Sequence, residues 1–292
     1  MIGRRVWIQG GGDLASGVAV RLYRAGFVLV MTELAQPMVV RRTVSFAQAV
    51  LSGWTRVEGI TARLADSPAQ VLQCWAAGEI PILVEPEPEQ MSALGCRIVV
   101  DARMRKKEPE SQIRDEEIRI GLGPGFRAGW NCHAVVETLR GHSLGKVLYH
   151  GCASPDTRVP ALVAGYGQER VIRAPGDGVF HPVVEIGDVV EQGQVLAQVG
   201  MATVQAGISG VVRGMLAPGT TVTQGMKAGD IDPRGERSYC FQVSDKSLAV
   251  AGGCLEAIFC LSQGQARGAL GISRVCTSGL DGDPNHGIGG YI

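Results

Sequence analysis

The 292 residues carry 28 Lys or Arg against 28 Asp or Glu, a formal net charge of zero, and 45% of them are hydrophobic. That length and apolar content suit about two packed domains, and the cancelled charge gives no global field for nucleic acid or an anionic membrane. Eight cysteines without a CxxC pair read as free thiols in a reducing compartment; no leader precedes the first strand and no apolar run reaches a membrane span, so a cytoplasmic protein is expected.

The first elements read as strand, glycine turn, helix and strand: VWIQ (6–9), GGGDLASGVAVRLYRAG, then FVLVMTE. Gly10 and Gly12 fall at the first two positions of G-x-G-x-x-G/A with Ala15 at the third, and Glu33 closes the second strand about 20 residues on. Glycines there permit close phosphate approach, and Glu33 is placed to accept a hydrogen bond from a ribose hydroxyl. Asp13 argues the other way, because a carboxylate at the start of the helix can cap that helix itself and repels a pyrophosphate. Two readings stand: a nucleotide such as NAD at this turn, or an inherited turn with its phosphate site closed.

SPAQVLQCWAAG (67–78) reads as a helix capped by Ser67 with Pro68 in its first turn. IPILVEP (80–86) and RIVVDAR (97–103) read as buried strands flanking a short helix near 88–94. Asp101 and Arg103 then sit at a strand's carboxyl end, either as ligand groups or as a solvated exit. The mixed-sign run 103–119 reads as a solvated connection.

GLGPGFRAGWNCHAVVETLRGH (121–142) begins as a side-chain-poor loop, in which Gly123, Gly125 and Gly129 are expected to offer backbone N–H groups to an anion. A helix is expected from Asn131, with His133, Glu137 and Arg140 at i, i+4 and i+7 on one face and His142 just past its end. The alternative is an ordinary surface face. Cys132, at the first turn, is either an activated thiol or a small buried side chain.

The segments 174–200 and 205–231 are internal repeats, each with an x-x-G-V and a G-x-x-V-x-x-G. They resemble the barrel-sandwich domains of biotinyl and lipoyl carriers. The hairpin VGMATVQA lacks the modified lysine, so neither biotin nor lipoate is expected. A strand (238–244), a helix (245–264) capped by Asp245 and stopped at Gly264, and a mobile tail (265–292) complete the expected organisation. The fold class is thus α/β: a Rossmann-like, mostly parallel sheet domain over 1–165 and a small all-β barrel-sandwich domain over 166–236, with 237–264 closing.

GGGDLASG, GLGPGF-AG, VVETLRGH-LGKV and the lysine-less repeat together resemble the YqeB-type family over nearly the whole chain apart from the tail. Members accompany selenium-dependent molybdenum hydroxylases. The resemblance implies an accessory factor for maturation of such a hydroxylase, with that enzyme or its maturation proteins as partners; the balanced charge and short apolar runs lead to the expectation of no nucleic acid and no membrane, and a homo-oligomer stays open. It extends to Gly123 to Gly129, Glu137, Arg140 and His142 as site positions without assigned chemistry. Two other classes remain: an NAD-dependent oxidoreductase using His133 or His142 as proton donor, and a thiol-based selenium or sulfur carrier using Cys132 or Cys152.

Overall fold

The structure, a computed structural model, describes residues 5–107, 118–157 and 159–269. Its strands outnumber its helices. The amino-terminal half contains β1 (Arg5–Gln9), α1 (Asp13–Arg24), β2 (Val28–Glu33), α2 (Gln48–Ser52), β3 (Trp54–Val57), β4 (Ile60–Leu64), α3 (Pro68–Ala76), β5 (Ile80–Val84), α4 (Pro88–Ala93) and β6 (Ile98–Asp101). It continues through β7 (Ile118–Leu122), β8 (Arg127–Ala128), β9 (Ala134–Val136), β10 (Val147–Leu148) and β11 (Gly151–Cys152). One nine-stranded sheet runs in the order β10-β9-β7-β6-β1-β2-β5-β4-β3, with β8 and β11 forming a separate pair. Its interior pairings are parallel, and each edge is closed by an antiparallel pair, β3 with β4 and β10 with β9. Runs such as IVV at 98–100 suit a sheet covered on both faces, and Ile98, Val99 and Val100 are all buried.

The carboxy-terminal half contains β12 (Val171–Arg173), β13 (Gly178–Pro182), β14 (Val189–Val190), β15 (Val195–Val199), β16 (Ala202–Gln205), β17 (Gly210–Met215), β18 (Thr220–Val222), β19 (Lys227–Asp232) and α5 (Asp245–Ala269). Two four-stranded antiparallel sheets form, β12-β19-β17-β14 and β16-β15-β13-β18. The repeat explains the pairing. In the first repeat β13 binds its own β15, and in the second β17 binds its own β19; each then takes the short middle strand of the other repeat, β18 and β14 respectively. Phe180, Leu196, Val211, Val212, Val222 and Ile231 fill the shared core.

This architecture corrects the expected Rossmann-like domain plus barrel-sandwich. The chain is mixed α/β, with a large mixed sheet and several antiparallel ones. Alternation of strand and helix fails after β6: β7 reaches β9 through the glycine loop with no helix between them. That half of the sheet is covered instead by α5, from the far end of the described chain, which packs on α1 and on β7, β9 and β10. Gly17 of α1 permits the close approach, since a Cβ there would stand 2.6 Å from the Ser247 Cβ. The carboxy-terminal sheets are also sewn to the large one by a strap around 38–45: Met215 N–H donates to the Val40 carbonyl at 2.7 Å and Arg42 Nε to the Met215 carbonyl at 2.8 Å.

Local expectations fared unevenly. The Ser67-capped helix forms as α3, with Ser67 Oγ accepting from Gln70 N–H at 3.4 Å. The helix expected from Asn131 does not form. The strand expected over 238–244 is a short 3-10 turn, Arg237–Cys240. Gly264 does not stop α5, which continues to Ala269. By length and composition its stretch Asp245–Gly264 is sufficient to cross a membrane, contrary to the expectation that no run is. Val250, Ala251, Cys254, Ala257 and Ile258 of that helix are buried in the core. Most of the run 103–119 and of the tail 265–292 lies outside the described residues.

Candidate functional site

The amino-terminal turn is held from inside. Gly11 N–H donates to Glu33 Oε2 at 2.7 Å, and Leu34 N–H donates to Glu33 Oε1 at 2.8 Å. The Gly11 carbonyl accepts from Ala47 N–H at 2.8 Å and from Ser16 Oγ at 3.0 Å. A Cβ on Gly11 would stand 2.9 Å from Ala47 N, so glycine is required for packing against the segment that follows the strap. Gly10 adopts φ +98°, and Gly12 is the N-cap of α1. Asp13 does not cap its helix. Its Oδ2 accepts from Arg41 at 2.9 Å and its Oδ1 from Ser247 Oγ at 2.8 Å, which offsets its negative charge.

Arg41 itself is buried and also donates to the carbonyls of Tyr239 and Gln242, at 2.9 and 3.0 Å. Sequence reading passed over it, because nothing in RRTVSF announces a buried cation. Beside the turn, at the carboxyl ends of β1, β2, β5 and β6, lies a cavity of about 660 Å³ lined by Gly10, Gly12, Asp13, Glu33 and Arg103 among others. Arg103 is held to Asp101, with Nε–Oδ1 at 2.9 Å, and donates to Gln9 Oε1 at 2.6 Å.

The second candidate stretch differs from its expectation. In place of a helix, residues 134–136 form β9, parallel to β7. The i, i+4, i+7 spacing misled because Val135 and Val136 are β-branched and all of 134–136 is buried, which suits a central strand. Consequently His133, Glu137 and Arg140 do not share a face. His133 Nδ1 accepts from Arg119 N–H at 3.0 Å. Glu137 is buried, and its carboxylate accepts from the N–H groups of Thr138, Leu139 and Ser154, each at 2.7 Å. Burial pushes that carboxyl up, but the three donors outweigh it and hold its pKa below the ordinary value of 4.5. Arg140 pairs with Asp245 at 2.7 Å, and His142 is exposed.

The loop glycines are largely spent on packing. Gly123 N–H donates to the Val136 carbonyl at 3.0 Å and Gly129 N–H to the Cys132 carbonyl at 2.9 Å. A Cβ on Gly125 would fall 2.2 Å from the Arg105 carbonyl oxygen. Cys132 is buried, and burial pushes its thiol up to about 12. Cys152 is exposed.

Where these stretches converge, a second cavity of about 570 Å³ opens between the large sheet, the amino-terminal end of α5 and the carboxy-terminal sheets. Its lining holds seven Lys or Arg (Arg41, Lys106, Arg140, Arg170, Arg213, Lys227, Lys246) against three Asp (Asp13, Asp156, Asp230). The three acids are taken by Arg41, Lys106 and Arg170. Among the described residues Arg213, 14% exposed, reaches only Asp232, at 3.8 Å, which Arg234 already binds at 2.6 Å. Among the described residues no carboxylate lies within ion-pair distance of Lys246 or Lys227. Burial lowers the Lys246 pKa, and the neighbouring Arg140 lowers it further. Of the sequence candidates, Asp13 and Arg140 line this cavity, and Glu137 ties together two of its walls, the turn at 138–139 and the loop at 154.

No family model matches the chain. Solved structures resemble it weakly: the ectoine utilization protein EutE (DoeB) of Ruegeria pomeroyi, 13% identical over 78% of this chain and 85% of that one with a TM-score of 0.24, and an aspartoacylase family protein of Mesorhizobium loti, 13% identical over 78% and 85% with a TM-score of 0.25. A curated relative, the uncharacterized protein YqeB of Escherichia coli (strain K12), is 48% identical over 256 residues, which is 88% of this chain and 47% of the relative. The chain therefore spans about half the length of that relative. Over the matched residues this likeness supports placing the chain with the YqeB-type family.

Proposed function

We propose that the chain is an accessory factor that binds an anionic ligand in the cationic cleft and serves the maturation of a molybdenum hydroxylase. The observation that carries the binding reading is the excess of cations. After the internal pairs are formed, Lys246 and exposed Lys227 have no carboxylate within ion-pair distance among the described residues, and Arg213 has only a share of Asp232; the two partly buried cations, Arg213 and Lys246, facing one cavity in that state favour an anion. The hydroxylase role rests on the sequence resemblance; the relative's name states no activity. The oxidoreductase reading through His133 and the thiol reading through Cys132 gain no support from the geometry. His133 Nδ1 is an acceptor occupied by backbone, and the Cys132 thiol stays protonated at neutral pH.

The test is calorimetric titration of the purified chain with pyrophosphate at low ionic strength, paired with hydroxylase activity in a host lacking the native gene. Binding that weakens with salt, is reduced by Lys246→Ala, and goes with hydroxylase activity lost in the same host upon that substitution is expected. No pyrophosphate binding by the parent chain overturns the anion reading, and full hydroxylase activity without the gene overturns the accessory role.

A further inference from the structure

The cationic cavity is not isolated. It shares Asp13, Met38, Val39 and Met104 with the cavity at the glycine turn, so the two are adjoining chambers of one groove. Their chemistry differs. The turn chamber presents apolar walls from Trp7, Leu14, Leu34 and Pro86, together with the carboxylates of Glu33 and Glu85. Each Glu33 oxygen accepts one backbone N–H and retains capacity for a second donor. Two residues lining this chamber, Glu85 (φ +41°) and Met104 (φ +54°), hold left-handed backbone conformations that non-glycine residues avoid, and such strain gathers at ligand sites.

We propose that the groove takes a nucleoside 5′-monophosphate, with base and sugar in the turn chamber and the phosphate in the cationic one. The inference rests on the anion-binding reading above and adds the organic body. A phosphate seated in the usual way on the first turn of α1 is disfavoured, because the Gly11 N–H that would meet it is already bound to Glu33. Asp13, at the passage between chambers, does not turn the phosphate away, since Arg41 and Ser247 engage both of its oxygens. Beyond it the phosphate meets Lys246 and Arg213, the latter with its buried Nε lacking a hydrogen-bond partner. Glu33 and Glu85 accept from sugar hydroxyls or ring amines, and the apolar walls cover the base.

The test is calorimetric titration of the chain with AMP, GMP, adenosine, guanosine, inorganic phosphate and pyrophosphate. A monophosphate should bind about tenfold or more tightly than its nucleoside and than inorganic phosphate. Lys246→Ala should weaken the monophosphate about tenfold and leave the nucleoside unchanged, because it removes a charge-assisted contact to phosphate alone. Leu34→Trp, at an exposed position, should fill the turn chamber and weaken monophosphate and nucleoside while inorganic phosphate binds as before. Melting temperatures near the parent's confirm intact folding of both variants. If inorganic phosphate or pyrophosphate binds as tightly as the monophosphates, and Leu34→Trp changes nothing, the nucleotide inference is overturned while anion binding survives. If no anion binds the parent chain, both fall.

Discussion

Two glycine-rich turns sit on either side of the same groove, GGGD at 10–13 and GPGFRAG at 123–129, and they have different jobs. In the first, glycine lets a backbone N–H meet a carboxylate of the chain itself, so Glu33 occupies the place a ligand phosphate would take. In the second, glycine lets backbone meet backbone: Gly125 lies against the Arg105 carbonyl. Of the second loop only Pro124, which has no N–H, lines the cationic cavity. A glycine-rich loop beside a cleft therefore marks close packing as readily as ligand approach, and the partner of each N–H decides between them.

The sharpest break of this comparison is at Gly125. Gly125→Ala places a Cβ against a backbone carbonyl that cannot swing aside and should cost about 3 kcal/mol or more. Gly129→Ala meets nothing within 4 Å and incurs only the penalty of its φ of +85°, about 1 kcal/mol. Urea denaturation of the two variants should separate them by about 2 kcal/mol. Equal losses would mean that conformational strain, not packing, requires glycine in this loop.

At the first turn, Glu33→Ala leaves the Gly11 and Leu34 N–H groups without their acceptor and should cost about 2 kcal/mol, and Glu33→Gln, which keeps one oxygen, about half as much. Denaturation midpoints check this. If Glu33→Ala is neutral in stability and instead alters AMP binding alone, the carboxylate serves the ligand and not the turn.

The legible parts of the fold were those written in local chemistry. The opening strand, turn and helix follow from VWIQ and three glycines, α3 from its Ser-Pro start, and the recurrence of short strands over 174–231 from a repeat visible in the sequence, though not the way those strands pair. Long-range partnerships were not legible. Covering of β7 and β9 by α5 depends on Gly17 meeting Ser247, and sewing of the sheets depends on Arg41 and Arg42 reaching carbonyls some two hundred residues away. The lining of the groove divides in the same way. Asp13 and Arg140 do line the groove. Arg213, Lys246 and Lys227, from β17, α5 and β19, carry no local pattern and become a cluster only in three dimensions.

Glu137 distinguishes a wall from a ligand group by pH. Glu137→Gln should cost about 2 kcal/mol at pH 7, since the charged acceptor of three N–H bonds is lost. The folded pKa lies below the ordinary 4.5, so the stabilisation is fully present above that value and is lost as pH falls through the folded one. The gap between parent and variant should therefore close toward low pH. A gap independent of pH would show that the amide fails by shape and not by charge.

The smallest effect on stability is expected at Arg140, and this separates the two turns' surroundings most finely. Its partner Asp245 has its pKa drawn down to about 2, first by the hydrogen bond from Arg140. A depressed carboxylate contributes stability above its ordinary 3.8 and loses it as pH falls through about 2. Yet the two side chains are 41% and 73% exposed, so solvent and salt screen the pair and its worth is about 0.5 kcal/mol. Arg140→Ala should accordingly shift the urea midpoint slightly at low salt and not at all near 1 M salt, where the screening length is about 3 Å. Ligand binding is expected to respond more strongly, because Arg140 lines the cationic chamber and the phosphate has few cations to choose from. Calorimetry with AMP should show a loss of about fivefold, close to 1 kcal/mol. Were stability to fall by several kcal/mol and AMP affinity to stay unchanged, Arg140 would be a clasp holding α5 to the turn after β9, and the phosphate would be held from the Lys246 and Arg213 side alone.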